Sequence, residues 1–201
     1  MSVRIYVEGG GTTSALKSEC RRGFSEFFAK LLPKGRLPKV IACGSRNEAL
    51  DNFRTALREY PGDHIVLLVD AEAPVAPEAT VWGHLKQRDG WEPPARATED
   101  NSHLMVQCME SWFLADAETL ASYFGQGFQA TALPGNPNIE EITKLVVLRA
   151  LEAATRQTKT KGVYSKGSHS FDILAKIDAN KVRRASPYVE RLATALLQFS
   201  A

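Results

Sequence analysis

The chain has 201 residues, of which 44% are hydrophobic and 24% are charged, and its formal net charge is +2. These values lie in the normal range for a soluble globular protein and favour one domain with an appendage. They argue against a protein that coats nucleic acid by itself, because such proteins carry a strong basic excess, so any nucleic-acid contact should be local or helped by a partner.

The sequence predicts neither a targeting signal nor a structural role for its cysteines in disulfides or zinc binding. No apolar stretch approaches the roughly 20 residues needed to cross a bilayer, and Met1 leads into a strand-like run without a signal-peptide pattern. We therefore expect a cytoplasmic protein that does not engage a membrane. The cysteines Cys20, Cys43 and Cys108 are odd in number and widely spaced, which predicts neither a disulfide framework nor a zinc knuckle.

Strands alternate with helices through the first 70 residues. Short β-rich runs predict strands at 3–7, 40–43 and 64–69. Between them, apolar residues recur at helical spacing from Leu16 to Leu32 and from Ala49 to Tyr60. The third strand, HIVLLV, is almost wholly apolar, as expected for a central strand covered by helices on both faces. The alternation predicts an α/β fold with a mainly parallel sheet.

The second half of the chain is predicted to be mainly helical after one more strand. Prolines interrupt residues 73–100, so we expect a long excursion there with one short helix near 82–88. A fourth strand is predicted at 103–107, and helices are predicted at 109–124, 139–155, 170–177 and 187–199. The predicted organisation is an α/β core at residues 1–125 and a helical C-terminal extension at 126–201 packed on it.

Acidic residues follow the first and third predicted strands. Glu8 and Asp70 are each the first acid after an apolar strand, and Glu72 lies two positions further, which would return its side chain to the same side of an extended segment. The carboxyl ends of parallel strands meet at one edge, where α/β proteins bind ligands. Carboxylates there could hold Mg²⁺ for phosphoryl chemistry. Alternatively, these acids cap helices or meet solvent.

Three segments resemble the TOPRIM fold of topoisomerases, primases and overcoming-lysogenisation-defect nucleases. They are the strand-Glu-Gly start YVEGGGTT, the second strand ending in ACGSR, and the third strand ending in LLVDAE. The later segments CMESWFLAD, YSKGSHSFDILAKID and RRASPYVERL resemble a family of small bacterial TOPRIM-like proteins that are often encoded beside ATPases in anti-phage loci. The resemblance covers nearly the whole chain and implies a TOPRIM-like sheet of about four strands with flanking helices.

The resemblance implies a role for each acid. Glu8 would be a catalytic general acid/base or a metal ligand, and Asp70 and Glu72 would be the pair that binds Mg²⁺ or Mn²⁺. TOPRIM proteins usually carry two aspartates at the third strand, so Glu72, whose side chain is one methylene longer, is a departure. By the same likeness Glu110, inside CMESW, is a further candidate metal ligand. Its alternative role is to stabilise the N-terminus of its own helix.

Two basic candidates, Lys166 and His169, lie among glycines and serines in KGVYSKGSHSF, just before a predicted helix. Such a loop can bring cationic groups to a phosphate or to a developing negative charge, so both are candidate catalytic residues. The alternative is a solvated basic loop in which Ser168 or Ser170 caps the helix.

A third basic candidate, Arg46, follows the second strand and is predicted to bind phosphate at the same edge. Alternatively, it pairs with Glu48 or Asp51 on its own helix. The glycine triplet of YVEGGGTT is not followed by Lys-Ser or Lys-Thr, so a Walker nucleotide-binding motif is not predicted.

Together these residues favour a metal-dependent nuclease or nickase that acts on DNA or RNA as a component of a bacterial defence system. A second hypothesis is a binding module that recruits or regulates an ATPase partner and has little catalysis of its own. The small net charge, the lack of a nucleotide-binding motif and the genomic neighbours of the resembling family favour it. A third hypothesis, a metal-dependent phosphatase on a small phosphorylated molecule, would use the same acidic edge.

Overall fold

A parallel sheet forms the centre of the molecule. The structure is a computed structural model that describes residues 2–199. Within that range the strands are Val3–Val7 (β1), Lys39–Ala42 (β2), His64–Asp70 (β3) and Ser102–Met105 (β4). All pairings are parallel, and the order across the sheet is β2-β1-β3-β4. The predicted α/β fold with a parallel sheet of about four strands is therefore confirmed.

Helices flank the sheet. Within residues 2–199 the α-helices are Ser14–Leu31 (α1), Arg46–Glu59 (α2), Val81–Asp89 (α3), Ala117–Phe124 (α4), Lys144–Thr155 (α5), Lys166–Lys176 (α6), Ala179–Ala185 (α7) and Pro187–Phe199 (α8). The predicted helical C-terminal region is confirmed by the last four. None of the described helices has both the length and the apolar character needed to span a membrane.

Three helical predictions need correction. The helix predicted at 109–124 is divided at Asp116, which ends a 3₁₀ helix and accepts a hydrogen bond from the Thr119 backbone N–H at the start of α4. Helix α6 begins at Lys166 rather than at residue 170, so Lys166 and His169 lie in its first turns and not in a loop. Helix α7 was not predicted, because its short polar sequence buries only Ala179 and Val182.

The apolar strands are covered on both faces, as the composition of the third strand predicted. On one face, Ile5 and Val7 of β1 belong to the same hydrophobic cluster as Leu174 and Leu196 near the C-terminus. On the other face, Tyr6 belongs to a second cluster built with residues of α2 and α3. The C-terminal helices therefore share a hydrophobic core with the strands that carry the acidic residues.

The N-terminus of α2 lies at the carboxyl edge of the sheet and is closed by a capping box. The Ser45 hydroxyl accepts a hydrogen bond from the Glu48 backbone N–H, and the Glu48 carboxylate accepts one from the Ser45 backbone N–H at 2.7 Å. We expect Ser45→Ala to lower the free energy of unfolding by about 1 kcal/mol, because a backbone donor loses its partner.

Urea denaturation of the variant and the wild type measures this loss. Ser18→Ala, at an exposed position within α1, is the matched control and should be neutral or slightly stabilising, because alanine is the better helix former. Equal losses in the two variants would contradict a specific capping role for Ser45.

Candidate metal centre

The adjacency of β1 and β3 brings two acids together. Val7 pairs with Leu68, and the backbone N–H of Glu8 donates to the Leu68 carbonyl at 3.0 Å, so Glu8 leaves β1 beside the end of β3. Oε2 of Glu8 accepts a hydrogen bond from the backbone N–H of Asp70 at 3.0 Å. The Glu8 carboxylate is thereby fixed against the neighbouring strand.

Glu72 joins these two residues to form a group of three carboxylates. One carboxylate oxygen from each of Glu8, Asp70 and Glu72 lies within 4.8 Å of the other two. The extended backbone predicted at Glu72 is wrong, since its φ is 65°. Its backbone N–H donates to the Gln107 carbonyl at 2.7 Å, and this hydrogen bond holds the segment after β3 against the segment after β4. The three acids lie together as predicted, although the backbone at Glu72 is not extended.

Glu110 lies deeper in the protein than the group of three. Its side chain is fully buried; Oε1 accepts a hydrogen bond from the Tyr164 hydroxyl at 3.3 Å and lies 3.4 Å from Nζ of Lys166. Oε2 has no hydrogen-bond partner within the described part of the chain. Glu110 is not one of the three grouped acids, so its role as a metal ligand stays a prediction.

Two lysines from the C-terminal helices face Asp70. Nζ of Lys144 donates to Oε1 of Glu72 and lies 3.8 Å from Oδ2 of Asp70. Nζ of Lys166 lies 3.8 Å from the same Asp70 oxygen. Sequence analysis predicted Lys166 but missed Lys144, because it lies 72 positions from Glu72 and no motif surrounds it. Only the long-range packing of α5 brings it to the acidic edge.

Arg46 lies at the predicted edge, but its guanidinium group is occupied. It donates to both carboxylate oxygens of Asp89, at 3.3 and 2.6 Å, to Oε2 of Glu8 at 3.3 Å and to the Asp70 carbonyl. It also lies 4.8 Å from the centre of the Trp91 ring. Among the described residues, its acidic partners come from β1 and α3 rather than from its own helix. Arg46 therefore positions Glu8, and its predicted contact with a phosphate would require these partners to release it.

His169 uses both ring nitrogens in contacts with the backbone. Nδ1 accepts a hydrogen bond from the Ser165 backbone N–H at 2.9 Å, and Nε2 lies 3.2 Å from the Lys161 carbonyl. These partners assign a neutral ring that carries its proton on Nε2. The ring fixes the segment before α6 and has no free nitrogen for a phosphate. The ring positions the start of α6, and its predicted catalytic role stays a prediction that would require these contacts to break.

Burial and mutual repulsion raise the pKa values of Asp70 and Glu8. Burial, followed by the negative charges of Glu8 and Glu110, raises the pKa of Asp70 to about 8. Burial also raises the pKa of Glu8, although the nearby Arg46 opposes that shift. Ionising both carboxyl groups is therefore unfavourable in the protein alone, and an additional positive charge at the site would offset that cost.

The donor set is suited to Mg²⁺ or Mn²⁺. All three grouped residues offer carboxylate oxygens, the ligand type that hard divalent cations prefer. Neighbouring oxygens around an octahedral Mg²⁺ ion lie about 3.0 Å apart, and opposite oxygens about 4.2 Å apart, at bond lengths of about 2.1 Å. The three oxygens, which lie within 4.8 Å of one another, would move closer together to bind one ion. Glu8, Asp70 and Glu72 could therefore hold the ion, with Lys144 withdrawing from its present position.

The ammonium group of Lys144 lies among the oxygens that would bind a metal cation. We expect Lys144→Met to raise the affinity for Mn²⁺ by about three- to tenfold. A positive charge about 4 Å from a divalent ion contributes repulsion of about 2 kcal/mol even in water, and part of this is relieved when the flexible side chain withdraws. An electron paramagnetic resonance titration of free Mn²⁺ measures the change. Lys86→Met, which removes an exposed partner of Glu92, should leave the affinity unchanged. Weaker Mn²⁺ binding by Lys144→Met would contradict competition and show that Lys144 supports the site.

A comparison with protein families finds a match over most of the chain. The model of a domain of unknown function, DUF4276, matches residues 7–197. That range contains the three grouped acids, Glu110 and the two lysines. No curated protein and no solved structure matches the chain.

Proposed function

We propose that this chain, which belongs to the DUF4276 family, is a nuclease or nickase that depends on Mg²⁺ or Mn²⁺ and acts on DNA or RNA. One observation carries the proposal: oxygens of Glu8, Asp70 and Glu72 lie within 4.8 Å of one another at the carboxyl edge of a parallel sheet. The resemblance of the strand-end segments to TOPRIM proteins supports the same chemistry. The resemblance to proteins of anti-phage loci supports a role in bacterial defence as part of this proposal.

Each residue of the site has a definite part in this function. Glu8, Asp70 and Glu72 would hold the divalent cation, which supplies positive charge to the oxygens of the scissile phosphate when bound. Glu8 lies at the rim of the group, where it can exchange a proton with a substrate. The side chain of Lys166 is 55% exposed, and its ammonium group, 3.8 Å from Oδ2 of Asp70, would exchange that contact for a phosphate oxygen. Arg46 keeps the Glu8 carboxylate in place.

Cleavage assays with the purified protein test the proposal directly. Supercoiled plasmid and single-stranded RNA are incubated with Mg²⁺, with Mn²⁺ and with EDTA, using the wild type, Glu8→Gln and Asp70→Asn. We expect cleavage only with a divalent cation and its loss in both variants. Asp51→Asn, an exposed acid on α2, is the matched control and should cleave like the wild type. Unchanged cleavage in both Glu8→Gln and Asp70→Asn would overturn the proposal.

A second candidate is a module that recruits or regulates an ATPase without catalysis of its own. One observation favours it: each acid of the site already has a basic partner within 4.0 Å, namely Arg46 for Glu8, Lys144 and Lys166 for Asp70, Lys144 and Arg88 for Glu72, and Lys166 for Glu110. Ion pairs of this kind can make the site stable without a metal. A lack of Mn²⁺ binding by the wild type, together with copurification of an ATPase, would select this function.

A further inference from the structure

A mostly apolar cleft of about 300 Å³ opens beside the acids. Glu8 and Asp70 belong to its lining, which links the cleft to the candidate metal centre. Its lining also includes Gly9, Gly10, Leu16, Met109, Lys166 and Phe171. The cleft therefore combines an apolar wall, a lysine and two carboxylates, the three kinds of group needed for a molecule with an apolar ring and a phosphate.

The backbone of the glycines that follow β1 forms part of the wall of the cleft. Gly10 has a φ of 86°, and a Cβ on it would lie 2.8 Å from the Cα of Lys17. Gly9 has a φ of 136°, and a Cβ on it would lie 3.4 Å from the ring of Phe171. Side chains are therefore disfavoured at both positions, and the ring of Phe171 can approach the glycine backbone closely.

Two helices supply the apolar side chains of the cleft. Leu16 lies in the first turn of α1, and Phe171 lies in α6; both are half-buried and line the cleft, as does the buried Met109. An aromatic ring such as that of Phe171 can stack on a nucleobase, with a contribution of about 1–3 kcal/mol per base, and the aliphatic side chains extend the apolar surface. Lys166, at the start of α6, supplies the nearby positive charge for a phosphate.

We propose that this cleft binds one nucleoside phosphate whose base is unpaired. Building on the proposed function, this inference names the substrate class as a single-stranded end or an unpaired stretch of nucleic acid, rather than the interior of a duplex. A volume of about 300 Å³ is at the small end of ligand sites, so the cleft has room for one ring system and excludes a base pair. When the base packs against Leu16 and Phe171, the phosphate of that nucleotide would lie beside Lys166 and the carboxylates.

Fluorescence anisotropy with labelled oligonucleotides tests the preference for unpaired bases. The full chain, with Ca²⁺ replacing Mg²⁺ to limit cleavage, is titrated into a single strand of about 12 nucleotides and into the matching blunt duplex. We expect the single strand to bind at least about tenfold more tightly. This difference in affinity is what stacking of about one base contributes. AMP is added as a competitor: strong competition identifies a free nucleotide as the ligand, and weak competition identifies a strand. Equal affinity for single strand and duplex would overturn the inference.

Substitutions in the cleft test its location. Gly167 lines the cleft in the first turn of α6, and a Cβ placed on it meets nothing within 4 Å, so Gly167→Phe should fold and crowd the cleft. We expect it to weaken single-strand binding about tenfold and Leu16→Ala to weaken it about fivefold. Gly135→Phe introduces the same ring at another open glycine outside the cleft and should bind like the wild type. Unchanged binding in both cleft variants would overturn the assignment.

A Mn²⁺ titration of the same proteins separates this inference from the proposed function. Gly167→Phe and Leu16→Ala should retain the Mn²⁺ affinity of the wild type, because neither residue is one of the grouped acids. Mn²⁺ binding and cleavage without any preference for unpaired bases would overturn the substrate class alone. Absence of Mn²⁺ binding in the wild type would overturn the proposed function itself.

Discussion

Replacement of Asp70 by asparagine is expected to abolish Mn²⁺ binding and phosphodiester cleavage while making the cation-free protein more stable. Asp70 is only 4% exposed, and its Oδ1 accepts a hydrogen bond from the Met109 backbone N–H at 2.9 Å. Asparagine keeps an oxygen for that hydrogen bond but removes the buried charge. Because loss of a residue that merely supports a ligand costs about 10- to 100-fold in metal affinity, loss of a ligand itself should cost about 100-fold or more.

The gain in stability should depend on pH. Burial and the neighbouring acids raise the pKa of Asp70 from its ordinary value of 3.8 to about 8. A carboxyl group with a raised pKa favours folding fully below its unfolded pKa, and this contribution is lost as the pH rises through the folded pKa. The wild type should therefore lose stability relative to Asp70→Asn between about pH 4 and pH 8.

Calorimetry in EDTA at several values of pH measures this difference. A gain of about 1 kcal/mol corresponds to about 2–4 °C in the melting temperature of a chain of this size. Asp51→Asn, at an exposed position, should show no such pH-dependent gain. A variant Asp70→Asn that is less stable than the wild type at pH 8 would contradict the expected cost of the buried charge.

Replacement of Lys166 by methionine is expected to lower the free energy of unfolding by about 2 kcal/mol, because it leaves a buried carboxylate without its basic partner. That carboxylate belongs to Glu110, which is fully buried and lies 3.4 Å from the lysine nitrogen. Addition of Glu110→Gln to the same chain should recover most of the loss, since the uncompensated charge is then removed. The Tyr164 hydroxyl can still donate to the glutamine oxygen.

Chemical denaturation of the wild type, the two single variants and the double variant forms the thermodynamic cycle that measures this coupling. Lys176→Met, at an exposed position in the last turn of the same helix, controls for the general effect of a lysine-to-methionine change. Additive losses in the double variant would show that Lys166 and Glu110 do not stabilise each other.

Much of the sheet, and the position of Glu8 and Asp70 at one edge of it, could be predicted because both depend on local patterns. The apolar run at residues 64–69 and the alternation with helices predicted a covered parallel sheet. Parallel strands place their carboxyl ends at one edge, so Glu8 and Asp70 were expected to lie on the same side of the fold. Their contact depends further on β1 and β3 being neighbours, which local patterns do not specify.

The parts that were missed depend on contacts between distant segments. Lys144 reaches Glu72 across 72 positions, and the acid that binds Arg46 most closely is Asp89, at 2.6 Å, on another helix. Glycines and serines around residues 165–170 favoured a loop, whereas His169 accepts a hydrogen bond from the backbone of Ser165 and stabilises an earlier helix start. A side-chain hydrogen bond within the first turn of α6 therefore overrides the loop preference of the glycines and serines.

The C-terminal helices share a hydrophobic core with the strands, so the site is complete only when both have been synthesised. Ribosomes make the strands with Glu8 and Asp70 first, whereas the two lysines that face Asp70 arrive with α5 and α6. Until those helices dock, the nascent chain holds its carboxylates without these lysines. We therefore expect the charge of Asp70 to be balanced by these lysines only after α5 and α6 have docked on the sheet.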